Sequence, residues 1–131
     1  MKRNALSKDE RIKSKKIIGK IFESGNIIFS GSKKLKTIYL IDTNPAKPGV
    51  QITVAVSKKA GNAVWRNRIK RLLKEAYRIN KQKLTKNCIE KKIKLMLIFS
   101  PNNLNQAKNK KLNLKDVLPE MIDVLDKLCR I

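Results

Sequence analysis

V-S-K-K-A-G-N-A-V-W-R-N-R-I-K-R-L-L-K-E-A-Y-R, residues 56–78, runs from an apolar alternation through a Gly-Asn pair into a helical repeat. From Asn62 onward Trp65, Ile69, Leu72, Leu73 and Ala76 recur at helical spacing and gather on one side of a wheel. The other side carries Arg66, Asn67, Arg68, Lys70, Arg71, Lys74 and Arg78, interrupted only by Glu75. Like charges at i,i+4, such as Arg66, Lys70 and Lys74, oppose a helix by roughly 0.2–0.5 kcal/mol per pair. A solvated structural face alternates its signs. This one does not, so it reads as a ridge that binds phosphate.

Outward from this helix, predicted over about 62–84, the chain reads as strands and helices in alternation. Val50, Ile52, Val54 and Val56 alternate with Gln51, Thr53, Ala55 and Ser57, which predicts a strand with one face left open. Thr37 to Asp42 is a strand before it, and T-N-P-A-K-P-G (43–49) is turn chemistry. The two are expected to pair antiparallel. Ile93 to Ser100 is a third strand, reached through the helix, which implies a parallel pairing in the sheet. Ser14 caps a helix that Gly25 stops, with Ile17, Ile18, Ile21 and Phe22 on one face. Residues 26–36 lead irregularly into the first strand, and P-N-N-L-N-Q-A-K-N-K-K (101–111) is a polar, basic loop.

Asn113, with Asp116 three residues on, caps a last helix with an apolar stripe from Leu114 to Leu128. Pro119 either bends that helix or moves its start to about Leu118. Residues 1–13 read as a mobile basic arm. The order is therefore α-β-β-α-β-α: one α+β domain over 1–131, a mixed sheet with helices packed on one face.

Charge sets the partner class. Among 131 residues, 32 are Lys or Arg and 10 are Asp or Glu, a net +22, with a pI near 10.4. An apolar fraction of 41% suffices for a core, so the chain folds despite that self-repulsion. A polyanion is then the natural partner, nucleic acid before an anionic membrane surface. From Asn113 onward three cations meet four acids, so this end is expected to face away from the anion.

Histidine is absent, which removes the usual general base and the commonest metal ligand. The C-terminal acids recur like a solvated helix face, so no catalytic and no metal-ligating residue is assigned. Cys88 and Cys129 have no metal or disulfide spacing and read as idle thiols of a reducing cytosol. No apolar run is long enough for a membrane span, and the N-terminus has no signal-peptide core.

The ridge has finer chemistry. Arg66 and Arg68 offer planar forks for phosphate, whereas Lys70 and Lys74 act as point charges. Lys58, Lys59 and Gly61 form the strand-to-helix loop, where glycine permits close backbone approach and a helix N-terminus faces the anion. Asn62 and Asn67 serve either as hydrogen-bonding groups for sugar or base edges, or as a helix cap and a solvated position. Trp65 belongs to the core stripe.

These residues resemble the signature helix of the protein subunit of bacterial ribonuclease P. The matching positions are Val56, Ser57, Lys58, Lys59, Gly61, Asn62, Ala63, Val64, Arg66, Asn67, Arg68, Lys70, Arg71, Leu72, Glu75 and Ala76. Arg11 to Gly25 is also similar to that family's opening helix. The resemblance implies an α+β fold whose crossover at this helix is left-handed, where general chirality would make it right-handed. It implies a bacterial, cytoplasmic partner of a large catalytic RNA, bound about 1:1, in a holoenzyme that removes the 5′ leader of precursor tRNA. Catalysis then resides in the RNA, with Mg2+ required by the holoenzyme and no cofactor bound by the protein alone.

Arg66, Asn67, Arg68, Lys70, Arg71 and Lys74, with Lys58, Lys59 and Asn62, would meet that RNA. A cleft between the opening helix and the open sheet face would take the single-stranded leader. Phe22 and Tyr39 stand where the family places aromatics for base stacking. Ile18 stands where a second aromatic often occurs, and can pack a base without stacking on it. The charge alone also fits a ribosomal or other structural RNA-binding protein with no role in cleavage, or a nonspecific DNA-coating protein.

Overall fold

Ser14 begins the first helix, as expected: its Oγ accepts a hydrogen bond from the Ile17 N–H (3.3 Å), and α1 spans Lys15–Ser24. The computed structural model describes Leu6 and residues 8–131. After α1 come β1 (Asn26–Phe29), β2 (Leu35–Asp42), β3 (Gly49–Val54), α2 (Ala63–Asn80), α3 (Gln82–Glu90), β4 (Lys94–Pro101) and α4 (Leu114–Cys129). The six expected elements are present in their expected order. One strand and one helix are added.

The added strand is β1, which pairs antiparallel with β2 around a turn at residues 30–34. Ser30, at the turn, is buried. Its Oγ donates to Glu120 Oε1 (2.7 Å) and accepts from the Leu35 N–H (3.1 Å). Asp123 accepts from the Gly31 N–H, and the Ser32 hydroxyl also donates to Glu120. The acids of α4 are thus not a solvated face. Glu120 and Asp123 hold the β1–β2 turn to the helix, Asp116 accepts the Asn113 N–H at the helix start, and Asp126 pairs with Lys83.

The sheet order is β1-β2-β4-β3. β3 does pair parallel, with β4, as the helical crossover requires. β2 and β3, however, are not partners: β4 lies between them, antiparallel to β2. Burial on both faces decides this. Leu95, Leu97 and Phe99 face the main core, Ile98 faces a second cluster, and all four are buried. A strand apolar on both sides belongs at the centre of a sheet. β3, with Gln51 and Thr53 on one face, tolerates the edge better.

That edge is covered. The Ile12 N–H donates to the Ile52 carbonyl (2.9 Å), Arg11 forms a parallel bridge with Ile52, and Gln51 Nε2 donates to the Asp9 carbonyl (3.0 Å). Lys81 Nζ lies 2.7 Å from Glu10 Oε2, and Ile12 is buried. Residues 8–13 are therefore docked on β3, where the sequence predicted a mobile arm; pairing blunts an open edge. The rest of that predicted arm lies largely outside the described residues.

α2 ends at Asn80, whose Nδ2 donates to the Ala76 carbonyl (3.0 Å). A joint at Lys81 starts α3, which buries Leu84 and Cys88. The expected helix to residue 84 thus divides in two, with no Gly or Pro to mark the break. α4 runs through Pro119 without a restart. Pro119 is exposed, so the Lys115 carbonyl deprived of its N–H partner can be served by solvent. Asp116 closes the helix start by accepting the Asn113 N–H (2.8 Å).

α2, α3 and α4 cover one face of the sheet with the main core. α1 lies on the other, where Ile21 meets Ile38, Ile98 and Ile12. That face is only partly covered.

Candidate nucleic-acid interface

The ridge is built on α2. Trp65, Ile69, Leu73, Ala76 and Tyr77 are buried on its inner side, with Leu72 half-buried. Asn67, Arg71 and Lys74 are exposed on the outer side, and Lys70 and Arg66 are half-buried. Among the described residues, none of Arg66, Lys70, Arg71 and Lys74 has a carboxylate within ion-pair distance. Arg78 differs, because Glu75 pairs with it one turn back. Four cations held on one rigid rod without counter-charge form a fixed electropositive stripe.

Two predicted ridge residues have structural partners as well. Arg68 turns toward α4: its Nε and Nη2 donate to the Leu112 carbonyl (3.1 and 2.6 Å), and Nη2 also reaches Asn113 Oδ1 (3.2 Å). Arg66 Nε donates to the Gly61 carbonyl (3.1 Å), which fixes the side chain and leaves its terminal nitrogens outside that bond. Both guanidinium groups are anchored, and Arg68 is the more fully engaged.

Ahead of the helix, Lys58 and Lys59 are exposed in a short 3-10 turn. Ser57 Oγ accepts the Lys59 N–H at 3.2 Å. Asn62 is the cap: its Oδ1 accepts the Trp65 N–H (2.9 Å). Gly61 has a packing reason. A Cβ there would lie 2.8 Å from Trp65 Cε3 and 2.9 Å from Gln106 Cβ. The space where a side chain at position 61 would sit is therefore filled by Trp65 and Gln106.

Gln106 belongs to the basic loop, which docks against the start of α2. Gln106 Oε1 accepts the Asn62 N–H (2.8 Å), its own N–H donates to the Ala60 carbonyl (2.7 Å), and Trp65 Nε1 donates to the Asn109 carbonyl (3.0 Å). The loop read as polar and basic is thus an ordered neighbour of the ridge.

On the opposite face, Ile18 packs in the second cluster and Phe22 is 52% exposed. Tyr39 is not with them. It packs against the main core, on the side of α2 and α4, because successive strand residues point to opposite faces and Ile38 faces α1. β1 supplies what sequence reasoning missed. Ile27 pairs with Ile38 and Phe29 with Lys36, so both share α1's side of the sheet, 52% and 38% exposed. The readable signal was G-S-K between apolar runs, a hairpin pattern.

Among the described residues, no three His, Cys, Asp or Glu side chains gather to hold a metal, and no helix is long and apolar enough to cross a membrane. Both cysteines are free thiols, and burial pushes Cys88 up to about 11.

A family model described as Ribonuclease P matches residues 6–126. The ribonuclease P protein component of Chlorobium phaeobacteroides is 42% identical over 91 residues, 66% of this chain and 61% of that relative. That of Clostridium novyi is 32% identical over 81% of this chain and 85% of its own length. That of Clostridium botulinum is 32% identical over 92% and 95%. The match to the Chlorobium protein thus spans less than two thirds of its length, whereas the clostridial proteins are covered nearly throughout.

Among solved structures, the Staphylococcus aureus RNase P protein superposes with a TM-score of 0.66 at 22% identity, over 90% of this chain and 94% of that one. The Thermotoga maritima RNase P protein gives 0.65 at 19%, over 93% and 97%. At such identities the likeness is one of fold.

Proposed function

The chain belongs to the ribonuclease P protein family, and from that premise we propose that it is the protein subunit of a bacterial ribonuclease P. It binds the catalytic RNA about 1:1 in the cytoplasm and assists endonucleolytic removal of the 5′ leader from precursor tRNA. The observation that carries this reading is the cationic stripe of Arg66, Lys70, Arg71 and Lys74 on α2, without an ion-pair partner among the described residues. Phosphates of a folded RNA supply the missing counter-charge, with Lys58, Lys59 and Asn67 beside them.

The hydrolytic chemistry does not come from this chain's side chains. With no histidine and no clustered acids among the described residues, the donor set fits no protein-held metal. Magnesium bound by the RNA would supply the metal chemistry of cleavage. The protein's residues bind and orient. The α2 stripe neutralises RNA phosphates, and the partly open sheet face beside α1 takes single-stranded leader. Phe22 offers a ring to a base there, and Ile18 packs beneath it. Tyr39 is half-buried on the other face, packed against the main core.

Reconstitution tests this. Purified protein alone should leave precursor tRNA intact, and with the cognate catalytic RNA it should lower the magnesium needed for 5′ cleavage. Cleavage by the protein without that RNA, or no change in the magnesium requirement with it, contradicts the proposal.

A further inference from the structure

The β1–β2 turn and the loop between β4 and α4 meet around a pocket of about 290 Å³ walled by Lys34, Lys108, Lys110 and Lys111, with Asn109 and Asp116. Among the described residues none of these four lysines has an ion-pair partner. The one acid of the wall, Asp116, is engaged in capping α4 through the Asn113 N–H. Two segments far apart in sequence therefore bring four lysines to the wall of one opening, with Asp116 the one acid among them. Such a gathering costs free energy unless an anion enters.

The lysines are carried on braced backbone. The Asn102 N–H donates to the Lys34 carbonyl (2.8 Å) and its Nδ2 to the Lys33 carbonyl (2.6 Å), tying the loop to the hairpin. Asn105 Oδ1 accepts the Lys108 N–H (2.9 Å), and the Asn109 N–H donates to the Asn105 carbonyl (2.7 Å). Trp65 Nε1 holds the Asn109 carbonyl from α2. A braced loop loses little further freedom on binding. The pocket also adjoins the ridge, because Leu112 in its wall offers the carbonyl that Arg68 grips.

We propose that this pocket is a second phosphate-binding site, continuous with the α2 ridge, that takes backbone phosphates of the same catalytic RNA. The proposal rests on the function given above. The hairpin and the loop between β4 and α4 thereby become part of the RNA interface, although neither belongs to the signature helix.

The test uses the full chain with Lys108→Gln, Lys110→Gln and Lys111→Gln combined, Lys34→Gln alone, and Lys74→Gln as the ridge reference. Affinity for the catalytic RNA is measured across a salt series, with thermal unfolding confirming the fold. The triple variant should bind about tenfold or more weakly at physiological salt. Its slope of log affinity against log salt should be shallower by about 2–3, and that of Lys34→Gln by about 1. Unchanged affinity and slope in the pocket variants, with binding weakened by Lys74→Gln, overturns the pocket and leaves the function standing. If Lys74→Gln also changes nothing, the function reading fails with it. A loss confined to precursor tRNA binding by the holoenzyme overturns the pocket as well.

Discussion

Arg68 on α2 donates two hydrogen bonds to the carbonyl of Leu112, just ahead of α4, at 3.1 and 2.6 Å. One arginine of the signature helix therefore joins two helices of the fold. Its loss combines a structural defect with an electrostatic one. Arg68→Ala leaves the part-buried Leu112 carbonyl without its donor and should lower unfolding free energy by about 1–3 kcal/mol. Arg71→Ala, on the exposed side, should stay within about 0.5 kcal/mol of the parent. Urea unfolding of the two variants separates these roles; equal stability of both would show that the Arg68 contact contributes nothing.

Pro119 sits inside a continuous α4 at an exposed position. Its ring removes one hydrogen bond of the helix and crowds the preceding turn. Pro119→Ala should therefore raise stability, by up to about 3 kcal/mol if the helix stays as it is. A stability decrease in urea would mean that Pro119 is needed to fit α4 onto the β1–β2 turn.

Phe22 presents half its ring on the face that α1 shares with Ile27 and Phe29. Phe22→Ala should weaken holoenzyme binding of precursor tRNA by about 1–3 kcal/mol, the worth of one stacked base. Binding of mature tRNA, which has no leader, should not change. An equal loss for both RNAs would remove Phe22 from the leader site.

Cys88 is buried against the core, and burial disfavours the thiolate, raising its pKa from 9.0 to about 11. The folded protein holds this proton more tightly than the unfolded chain. Its contribution is fully present below pH 9 and is lost as pH rises toward 11. At pH 8 a thiol reagent should modify Cys88 only after denaturant is added; rapid modification of Cys88 itself in the native Cys129→Ser protein would contradict its burial.

Much of this was legible in sequence because local chemistry decided it. Ser14, Asn62 and Asn113 each mark the start of a helix, and the α2 stripe is an unbroken period with a single acid on its wet side. The sheet order was not legible. Six turn-like residues between β2 and β3 favour a hairpin, yet the apolar demand of β4 on both faces places it between them, and that demand is nonlocal. β1 hid in four residues, N-I-I-F, whose partner lies across a turn held by Glu120 and Asp123. The double role of Arg68 was equally hidden, since only the tertiary fold brings Leu112 beside it. Tyr39 shows the limit of matching by position: one strand residue either way exchanges cleft for core.

The central claim is that the outer side of α2 binds the catalytic RNA through charge. Lys70→Gln, Arg71→Gln and Lys74→Gln combined, in the full chain, measure it most directly, because none of the three residues is tied to another part of the fold by an ion pair among the described residues. With unfolding free energy unchanged, affinity for the catalytic RNA should fall, and the salt slope should become shallower by about 3. A variant that binds as tightly, and as salt-dependently, as the parent would contradict the claim.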